Sequence, residues 1–330
     1  MLDRSASPTQ HATPDAGGGV ESAISARGLT KVYTSKRGKT EKLALDSIDL
    51  DVPHGSFFGL LGPNGAGKST FINILGGMTK KTAGTVSVLG RDIDSDSRRT
   101  RASLGIVPQE LNMDAHFTPF EALEFQAGFY GVPKNRRQTD AILAALGLTE
   151  QRDWYARRLS GGMQRRLLVG KALVHNPPVL ILDEPTAGVD VEIRHQLWNH
   201  IRGLNQRGTT VVLTTHYLEE AEQLCDRIAI INHGQVVACD ETQTLIRQID
   251  KKALTVTLVD DIESIPESLT RFDAELGEFR QLRVSYRRSQ TQISEILGAV
   301  QAAGLEIADL TTQESNLEDL FLQLTRRTRE

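Results

Sequence analysis

Short apolar runs alternate with longer segments of helical periodicity from Ile24 onward. A short apolar run bounded by polar or turn residues is typical of a strand buried on both faces of a parallel sheet. The runs of this kind are Phe57–Leu61, Leu104–Val107, Val179–Pro185 and Thr209–Thr215. Strands that alternate with helices predict an α/β fold in which helices cover both faces of a parallel sheet.

The pattern changes after the segment Arg227–Asp240, which indicates a second and smaller region. Its predicted elements are two strands and two helices, at Leu254–Val259, Leu282–Tyr286, Ser289–Ala302 and Asn316–Thr325. Ser315 is a suitable N-cap for the last helix. We therefore expect a large domain at residues 24–245 and a small α/β domain at residues 246–330.

Residues 1–23 are rich in Ser, Thr, Pro, Ala and Gly and include the run Gly17-Gly18-Gly19. Few of these residues can build a core, so this segment is predicted to be a disordered tail. It has no apolar signal core, and no apolar run of the chain approaches the ~18 residues that span a bilayer. We expect a cytoplasmic chain whose membrane role, if any, depends on a partner.

The formal net charge of -4 gives no basic excess, so no nucleic-acid partner is expected. The cysteines, Cys225 and Cys239, lack the paired spacing of a zinc site and the density of a disulfide scaffold. Both are interpreted as small core or surface residues in a reducing compartment.

The strongest chemical motif is GPNGAGKST, which follows the strand Phe57–Leu61 and precedes a predicted helix at Phe71–Leu75. A glycine-rich loop between a strand and a helix turns backbone N–H groups toward phosphate oxygens, and the helix dipole adds positive potential. Lys68 contributes a charge for the β- and γ-phosphates, and the Ser69 hydroxyl is suited to Mg²⁺. The predicted nucleotide-binding residues are Gly62, Pro63, Asn64, Gly65, Ala66, Gly67, Lys68, Ser69 and Thr70.

Polar residues follow the other predicted sheet strands, where ligands bind at the carboxyl ends. Asp183 is predicted to hold Mg²⁺, and Glu184 to accept a proton from an attacking water. Gln109 and His216 follow neighbouring strands and are expected at the same edge. The sequence thus predicts a phosphate-cleaving site rather than a purely structural role.

The stretch LSGGMQRR predicts a second helix N-terminus that is suited to binding phosphate, about a hundred residues after the first. GPNGAGKST, Gln109, LSGGMQ, LILDEP, AGVD and TTH stand in the order and spacing of an ATP-binding cassette ATPase, which residues 24–240 resemble. The resemblance implies a P-loop NTPase fold, with a RecA-like parallel sheet core, an antiparallel β subdomain and a helical subdomain at about residues 110–170. A guanine-nucleotide switch or a small kinase would not explain LSGGMQ.

The resemblance also implies a head-to-tail homodimer that holds two ATP molecules with Mg²⁺. Ser160, Gly161 and Gly162 of one chain would close on the γ-phosphate bound by the other chain, and Asp190 would cross the interface. Gln109 would bind Mg²⁺ and the attacking water, and His216 would contact the γ-phosphate. Tyr33 would stack on adenine, while the basic segment between Tyr33 and Leu43 is interpreted as a solvated turn.

The helical subdomain of such transporters meets an integral membrane permease. Phe125 and Phe129 are spaced four apart and are expected to pack within the subdomain, whereas Phe117 and Phe120, beside Pro119 in a predicted loop, are expected to dock the permease.

Further details resemble bacterial drug-resistance exporters: QAGFYGVP, TTHYLEEAE and the terminal NLEDLFLQLT. The ATPase would then lie on the cytoplasmic face of the cell membrane, with a regulatory or dimerising domain at its C-terminal end. An importer, a lipid or polysaccharide exporter and a non-transport cassette switch remain open as alternatives.

Overall fold

The computed structural model describes residues 22–34, 40–110, 114–186, 189–247, 251–262, 264–277, 279–287, 290–313 and 317–326. The strands are β1 Ser22–Thr34, β2 Glu41–Pro53, β3 Phe57–Leu61, β4 Ala83–Val88, β5 Arg91–Asp92, β6 Leu104–Val107, β7 Val179–Asp183, β8 Thr210–Thr214, β9 Arg227–Asn232, β10 Gln235–Glu241, β11 Lys251–Leu258, β12 Asp273–Leu276, β13 Gln281–Arg287 and β14 Ile307–Gln313. The helices are α1 Lys68–Leu75, α2 Ser97–Ala102, α3 Pro119–Phe129, α4 Thr139–Ala145, α5 Gly161–Leu173, α6 Val191–Gln206, α7 Leu218–Leu224, α8 Thr242–Arg247, α9 Ile293–Ala302 and α10 Leu317–Arg326.

The central sheet has the strand order β10-β9-β3-β8-β7-β6, and all of its strands except β10 run parallel. Side chains of β3 alternate between two cores, with Phe57 and Leu61 in one and Phe58 and Leu60 in the other. Because both faces are covered, the strands consist almost wholly of apolar residues. This confirms the predicted parallel sheet core.

One face of the central sheet is covered by α1 and by an antiparallel sheet of order β2-β1-β4-β5. Ile24, Leu45 and Val86 of this second sheet share a core with Phe71 and Ile74 of α1. The arrangement is the antiparallel β subdomain that the resemblance implies. It brings the end of β1 and the start of β2 to the mouth of the phosphate loop.

The core on the other face contains residues of α5, α6 and α7, and α5 forms the helical subdomain with α3 and α4. Thr118 and Glu121 form a capping box at the start of α3, and Pro119 is its first residue. The core of the subdomain contains Leu123 and Ala127 of this helix, together with Leu143 of α4.

The prediction that Phe125 and Phe129 pack within the subdomain is wrong, whereas the docking role expected of Phe117 and Phe120 stays a prediction. Phe125 and Phe129 point away from the core and are 53% and 84% exposed, because the neighbouring positions Leu123 and Ala127 fill it. Phe120 lies within α3 rather than in a loop and packs against the core. Phe117 is half-buried and contacts Phe125 with a ring separation of 4.8 Å.

The C-terminal part forms its own sheet, of order β12-β13-β11-β14, with α9 packed on it. Leu254, Val284 and Ile296 lie in the resulting small core. The final helix, α10, does not pack in this small core. Its Leu317 and Leu320 lie in the core of the large domain, where α10 contacts α7 and α8. The last helix therefore packs on the large domain instead of completing the small one.

Several predicted boundaries are displaced. β1 begins at Ser22, two residues inside the predicted tail, while residues 1–21 lie outside the described residues. The helix predicted from Ser289 begins at Ile293, and Ser289 and Ser315 also lie outside the described residues. So do residues 35–39 of the basic segment and residues 187–188 of the AGVD motif. Across the described ranges, no helix combines the length and the apolar character needed to cross a membrane.

Candidate functional site

The phosphate loop, Gly62–Gly67, joins the fully buried strand β3 to α1. Gly67 has φ 117°, and a Cβ atom there would lie 2.6 Å from the carbonyl oxygen of Ala44. Both the backbone conformation and the close approach of β2 therefore require glycine. The loop is held in place by the N–H of Gly234, which donates to the Ala66 carbonyl at 2.9 Å.

Lys68 is the first residue of α1, and its side chain curls back over the loop. Its Nζ donates to the carbonyl oxygens of Gly62 at 2.6 Å and Pro63 at 3.2 Å. Burial lowers the pKa of Lys68, while the nearby charges of Glu184 and Asp183 oppose that shift. The acids thus help to keep a buried ammonium group charged at the centre of the loop.

A cavity of about 330 Å³ opens at this loop. It unites most of the residues predicted for nucleotide and metal binding, namely Tyr33, Asn64, Gly65, Ala66, Gly67, Lys68, Ser69, Thr70, Gln109, Asp183 and Glu184. Lys42 and Ala44 also line it, although the sequence did not single them out. Lys42 belongs to the basic segment interpreted as a solvated turn, so part of that segment lies at the site.

Asp183 is buried at the end of β7, where it pairs in register with Thr214 of β8. The Thr214 hydroxyl donates to Oδ1 at 2.5 Å, and the Ser69 hydroxyl donates to Oδ2 at 3.4 Å. One carboxylate oxygen is therefore oriented by the sheet and the other faces the phosphate loop. A hydroxyl and a carboxylate beside Gln109 in one cavity are hard oxygen ligands that suit Mg²⁺ bound mainly through phosphate.

Glu184 occupies the left-handed region, with φ 50°, which is strained for a residue other than glycine. Its N–H donates to the carbonyl oxygen of Thr214 at 3.1 Å and lies 3.2 Å from the hydroxyl of the same residue. The side chain meets two predicted partners: Nε2 of Gln109 donates to Oε2 at 3.3 Å, and Nδ1 of His216 lies 3.5 Å from the same oxygen. Two of the three candidate catalytic residues, Gln109 and His216, thus contact the same oxygen atom of the third.

The remaining predicted residues do not line this cavity. Ser160 caps α5 by accepting a hydrogen bond from the Met163 N–H at 3.3 Å, and Asp190 caps α6 by accepting from the Ile193 N–H at 3.0 Å. Gly161 is exposed, and a Cβ atom there would find nothing within 4 Å. The α5 start is therefore a capped helix N-terminus with open space in front of it.

The sequence did not indicate one buried polar cluster behind the site. The Glu220 carboxylate accepts hydrogen bonds from the hydroxyls of Thr186 at 3.0 Å and Thr215 at 3.1 Å, and it lies 3.6 Å from Nε of Arg194. Thr186 lies two residues after Glu184, and Thr215 directly precedes His216. The available signal was an acid on an apolar helix face directly after TTH.

A second link that the sequence did not indicate runs from α5 to the Gln109 loop. Nη1 of Arg165 donates to the carbonyl oxygen of Pro108 at 2.9 Å. Burial lowers the pKa of Arg165, against the opposing charges of Glu184 and Asp183. The helix that starts at Ser160 is therefore tied to the residue before Gln109.

Known proteins resemble this chain over almost its entire length. Residues 45–187 match the ABC transporter family. The chain is 34% identical to the Nod factor export ATP-binding protein I of Ralstonia nicotianae, over 95% of this chain and 97% of that protein. It is 36% identical to the daunorubicin/doxorubicin resistance ATP-binding protein of Streptomyces peucetius, over 92% of each chain. The linearmycin resistance ATP-binding protein of Bacillus subtilis is 34% identical, over 89% of this chain and 97% of that protein.

Solved structures give the same result for the large domain. An ATP-binding subunit of an ABC transporter matches with a TM-score of 0.62 and 27% identity, over 68% of this chain and 92% of that one. A dimeric post-hydrolysis state of an ATP-binding cassette, bound to ADP and Pi, matches with a TM-score of 0.61 and 27% identity, over 66% of this chain and 98% of that one. With the phosphate loop, the paired acids and the capped LSGG helix in one fold, the chain belongs to the ABC transporter family of ATPases, as an ATP-binding subunit.

Proposed function

We propose that this chain hydrolyses ATP to drive export through a separate membrane permease, from the cytoplasmic face where ATP is available. The observation that carries the catalytic part is the convergence of Gln109 and His216 on Glu184, in a site shared with Lys68 and Asp183. Export is supported by relatives that are named for exporting Nod factor or for drug resistance and that match almost the whole chain.

The hydrolytic step requires a water molecule in line with the γ-phosphate. As the water oxygen bonds to phosphorus, Glu184 accepts the proton, and the bond to the bridging oxygen breaks with its electron pair left on ADP. The contacts from Gln109 and His216 hold the Glu184 carboxylate for this transfer. Lys68 and the loop N–H groups stabilise the charge on the phosphate oxygens.

Ser69, Gln109 and Asp183 would hold Mg²⁺ together with the phosphates. Bound there, the ion would neutralise charge on the β- and γ-phosphate oxygens. The buried hydrogen bond from Thr214 fixes the Asp183 carboxylate, so its second oxygen remains available on the cavity side.

A second copy of the chain, packed head to tail, would complete the site. Ser160, Gly161 and Gly162 do not line their own chain's cavity, yet they form a capped helix N-terminus with open space before it. Such an end binds anions through N–H groups and the helix dipole. We infer that it closes on the γ-phosphate of the partner's ATP, with Asp190 beside the interface, so that hydrolysis removes the contact and the dimer opens.

The helical subdomain offers the surface for the permease. Phe129 is 84% exposed, and Phe125 and Tyr130 beside it are also exposed. Neighbouring exposed aromatic side chains on one helix are typical of a protein contact. We infer that this face of α3, rather than Phe117 and Phe120, meets the membrane subunit.

Copurification tests the proposal. The Glu184→Gln chain, tagged and extracted in detergent with ATP and Mg²⁺ from membranes of its native host, is expected to bring down a multi-helix membrane protein in comparable amount. The Lys68→Ala chain, which lacks the phosphate-loop cation, is the matched control and should retain less ATP. Recovery of the Glu184→Gln chain alone, or with ribosomal or DNA-repair proteins, would contradict the transport role.

A further inference from the structure

A second cavity, of about 390 Å³, lies away from the ATP site and shares no lining residue with it. We name it the basic cavity. It is lined by the helical subdomain through Val132, Arg136 and Ile142, by His175 after α5, and by His200 and Arg207 of the α6 end. His175 Nε2 lies 3.1 Å from the carbonyl oxygen of Leu104, the first residue of β6. Gln109, which lines the ATP cavity, follows the other end of β6. The two cavities therefore lie near opposite ends of this strand.

The titratable side chains that line the basic cavity are all basic. No described Asp or Glu lines it, and neither Arg136 nor Arg207 forms an ion pair with a described residue. The adjacent Arg137 differs, since it pairs with Glu124 at 2.6 Å. The positive charge comes from the two arginines, which line the basic cavity and are also exposed to solvent, and no described acid neutralises it.

The pKa of His200 is affected by this positive charge. Burial lowers its pKa first, and the positive charge of Arg207 lowers it further. Arg207 ends α6, and the α6 dipole stabilises one cation there. The dipole does not explain why Arg136, which belongs to the helical subdomain, faces the same space.

His175 forms one wall of the basic cavity. Its ring stacks on Tyr130 at 3.6 Å with an interplanar angle of 2°. Its Nδ1 is buried and has no hydrogen-bond partner among the described residues. Because this atom is closed to solvent, His175 contributes ring surface to the basic cavity rather than a hydrogen-bonding group.

The remaining wall is apolar. Val132, Ile142 and Leu204 are half-buried and pack against the core of the large domain. The volume falls within the usual range of small-molecule sites, roughly 300–1,000 Å³, and such sites combine apolar walls with a few placed polar groups. Guanidinium groups favour carboxylate, phosphate and sulfonate oxygens, because their N–H donors match those anions.

We propose that the basic cavity binds a small organic anion, whose charged group pairs with Arg136 and Arg207 and whose apolar part packs on Val132, Ile142 and Leu204. A ligand in this position joins the helical subdomain to α6, whose N-cap is Asp190. The site is separate from the ATP cavity.

Calorimetry with a matched pair of probes tests this site. The full chain is saturated with ADP, so that its ATP site is filled, and titrated with 2-naphthalenesulfonate or with the uncharged 2-naphthalenesulfonamide. We expect the sulfonate to bind in the micromolar to millimolar range and the sulfonamide to bind at least about tenfold more weakly. Equal affinities for the two probes would overturn the role of charge.

Variants place the binding in the basic cavity. The double variant Arg136→Gln/Arg207→Gln should weaken sulfonate binding by about tenfold or more, while Arg98→Gln/Arg99→Gln on exposed α2 should change it less than about twofold. Ala141→Trp adds bulk to the cavity wall without removing charge and should also block the probe. Each variant's thermal unfolding is measured to show that it folds. Unchanged binding in the double variant, or in a folded Ala141→Trp chain, would overturn the proposal.

Discussion

Oε2 of Glu184 lies 3.5 Å from Nδ1 of His216, and the backbone of Glu184 has a φ of 50°. The strained backbone and the sheet contacts of Thr214 aim this carboxylate into the cavity. We expect Glu184→Gln to bind ATP normally and to hydrolyse it at least about 100-fold more slowly, because an amide accepts no proton from water. Steady-state phosphate release and equilibrium nucleotide binding measure the two effects separately.

Glu150→Gln is the control for this variant, since Glu150 is exposed in the helical subdomain and does not line the ATP cavity. It should hydrolyse ATP at the parent rate. A Glu184→Gln chain that turned over at that rate as well would show that another group accepts the proton.

Glu220 is predicted to position the catalytic loops. Its buried carboxylate holds the hydroxyls of Thr186 and Thr215, which neighbour the loops carrying Glu184 and His216. Glu220→Ala leaves these donors without their acceptor and Arg194 without its neighbouring negative charge, and we expect the free energy of unfolding to fall by about 2–4 kcal/mol. Denaturant unfolding measures this loss.

The adjacent Glu219 is exposed and provides the matched control, because Glu219→Ala should change the free energy of unfolding by less than about 0.5 kcal/mol. We also expect Glu220→Gln, which keeps an acceptor oxygen, to restore most of the stability. If Glu220→Ala and Glu219→Ala unfolded at the same denaturant concentration, the cluster would not support the site.

A substitution at Gly161 distinguishes packing within the chain from the proposed contact with a partner chain. A Cβ atom at Gly161 meets nothing within 4 Å in its own chain, so Gly161→Ala should fold with a free energy of unfolding within about 0.5 kcal/mol of the parent. We expect its ATP hydrolysis to fall at least about tenfold, because the methyl group occupies the space in front of the helix N-terminus where a phosphate would bind.

Gly170→Ala, on the same helix, provides the opposite result. Its Cβ would lie 2.9 Å from Cδ1 of Leu146, and we expect a loss of stability of about 1–3 kcal/mol. A Gly161→Ala chain with both parental stability and parental ATP hydrolysis would mean that the LSGG helix start does not face a phosphate during turnover.

The sequence predicted local features well. The strand Phe57–Leu61 and the strand Leu104–Val107 have the predicted bounds, because short, fully apolar runs with polar ends permit few other structures. Helix α1 runs from Lys68 to Leu75 and so contains the apolar segment Phe71–Leu75 that was predicted to be helical. The glycine loop leads directly into the helix, so the apolar residues mark its middle rather than its beginning.

The pattern of apolar positions did not predict how distant segments of the chain pack together. Apolar residues occur on several sides of α3, so periodicity did not show whether Leu123 and Ala127 or Phe125 and Phe129 face the core. The helix predicted near the C-terminal end exists as α10, but its packing on α7 rather than on the small domain depends on contacts about a hundred residues away, such as the N–H of Leu317 to Glu222. The Glu220 cluster was missed for the same reason, since Thr186 and Thr215 follow two different strands and Arg194 lies in α6.

The two cysteines are expected to differ sharply in reactivity. Burial raises the pKa of both thiols, but Cys225 is closed to solvent whereas Cys239 is exposed and can meet a reagent. A thiol-specific chromogenic reagent at pH 8 should modify one thiol of the native chain and both after denaturation. Cys239→Ser should remove the fast reaction, and rapid modification of both thiols in the native chain would contradict the buried position of Cys225.

The exposed aromatic face of α3 is expected to determine permease binding. Phe129 and Phe279 are both 84% exposed, but Phe279 lies in the small C-terminal domain, between β12 and β13. Phe129→Ser should reduce recovery of the captured permease at least about fivefold, because an exposed aromatic anchor contributes roughly 1 kcal/mol or more at an interface. Phe279→Ser removes the same exposed side chain elsewhere and should leave recovery unchanged. Equal recovery with both variants would show that the permease binds elsewhere, and parental ATP binding in each chain would show that the nucleotide site is intact.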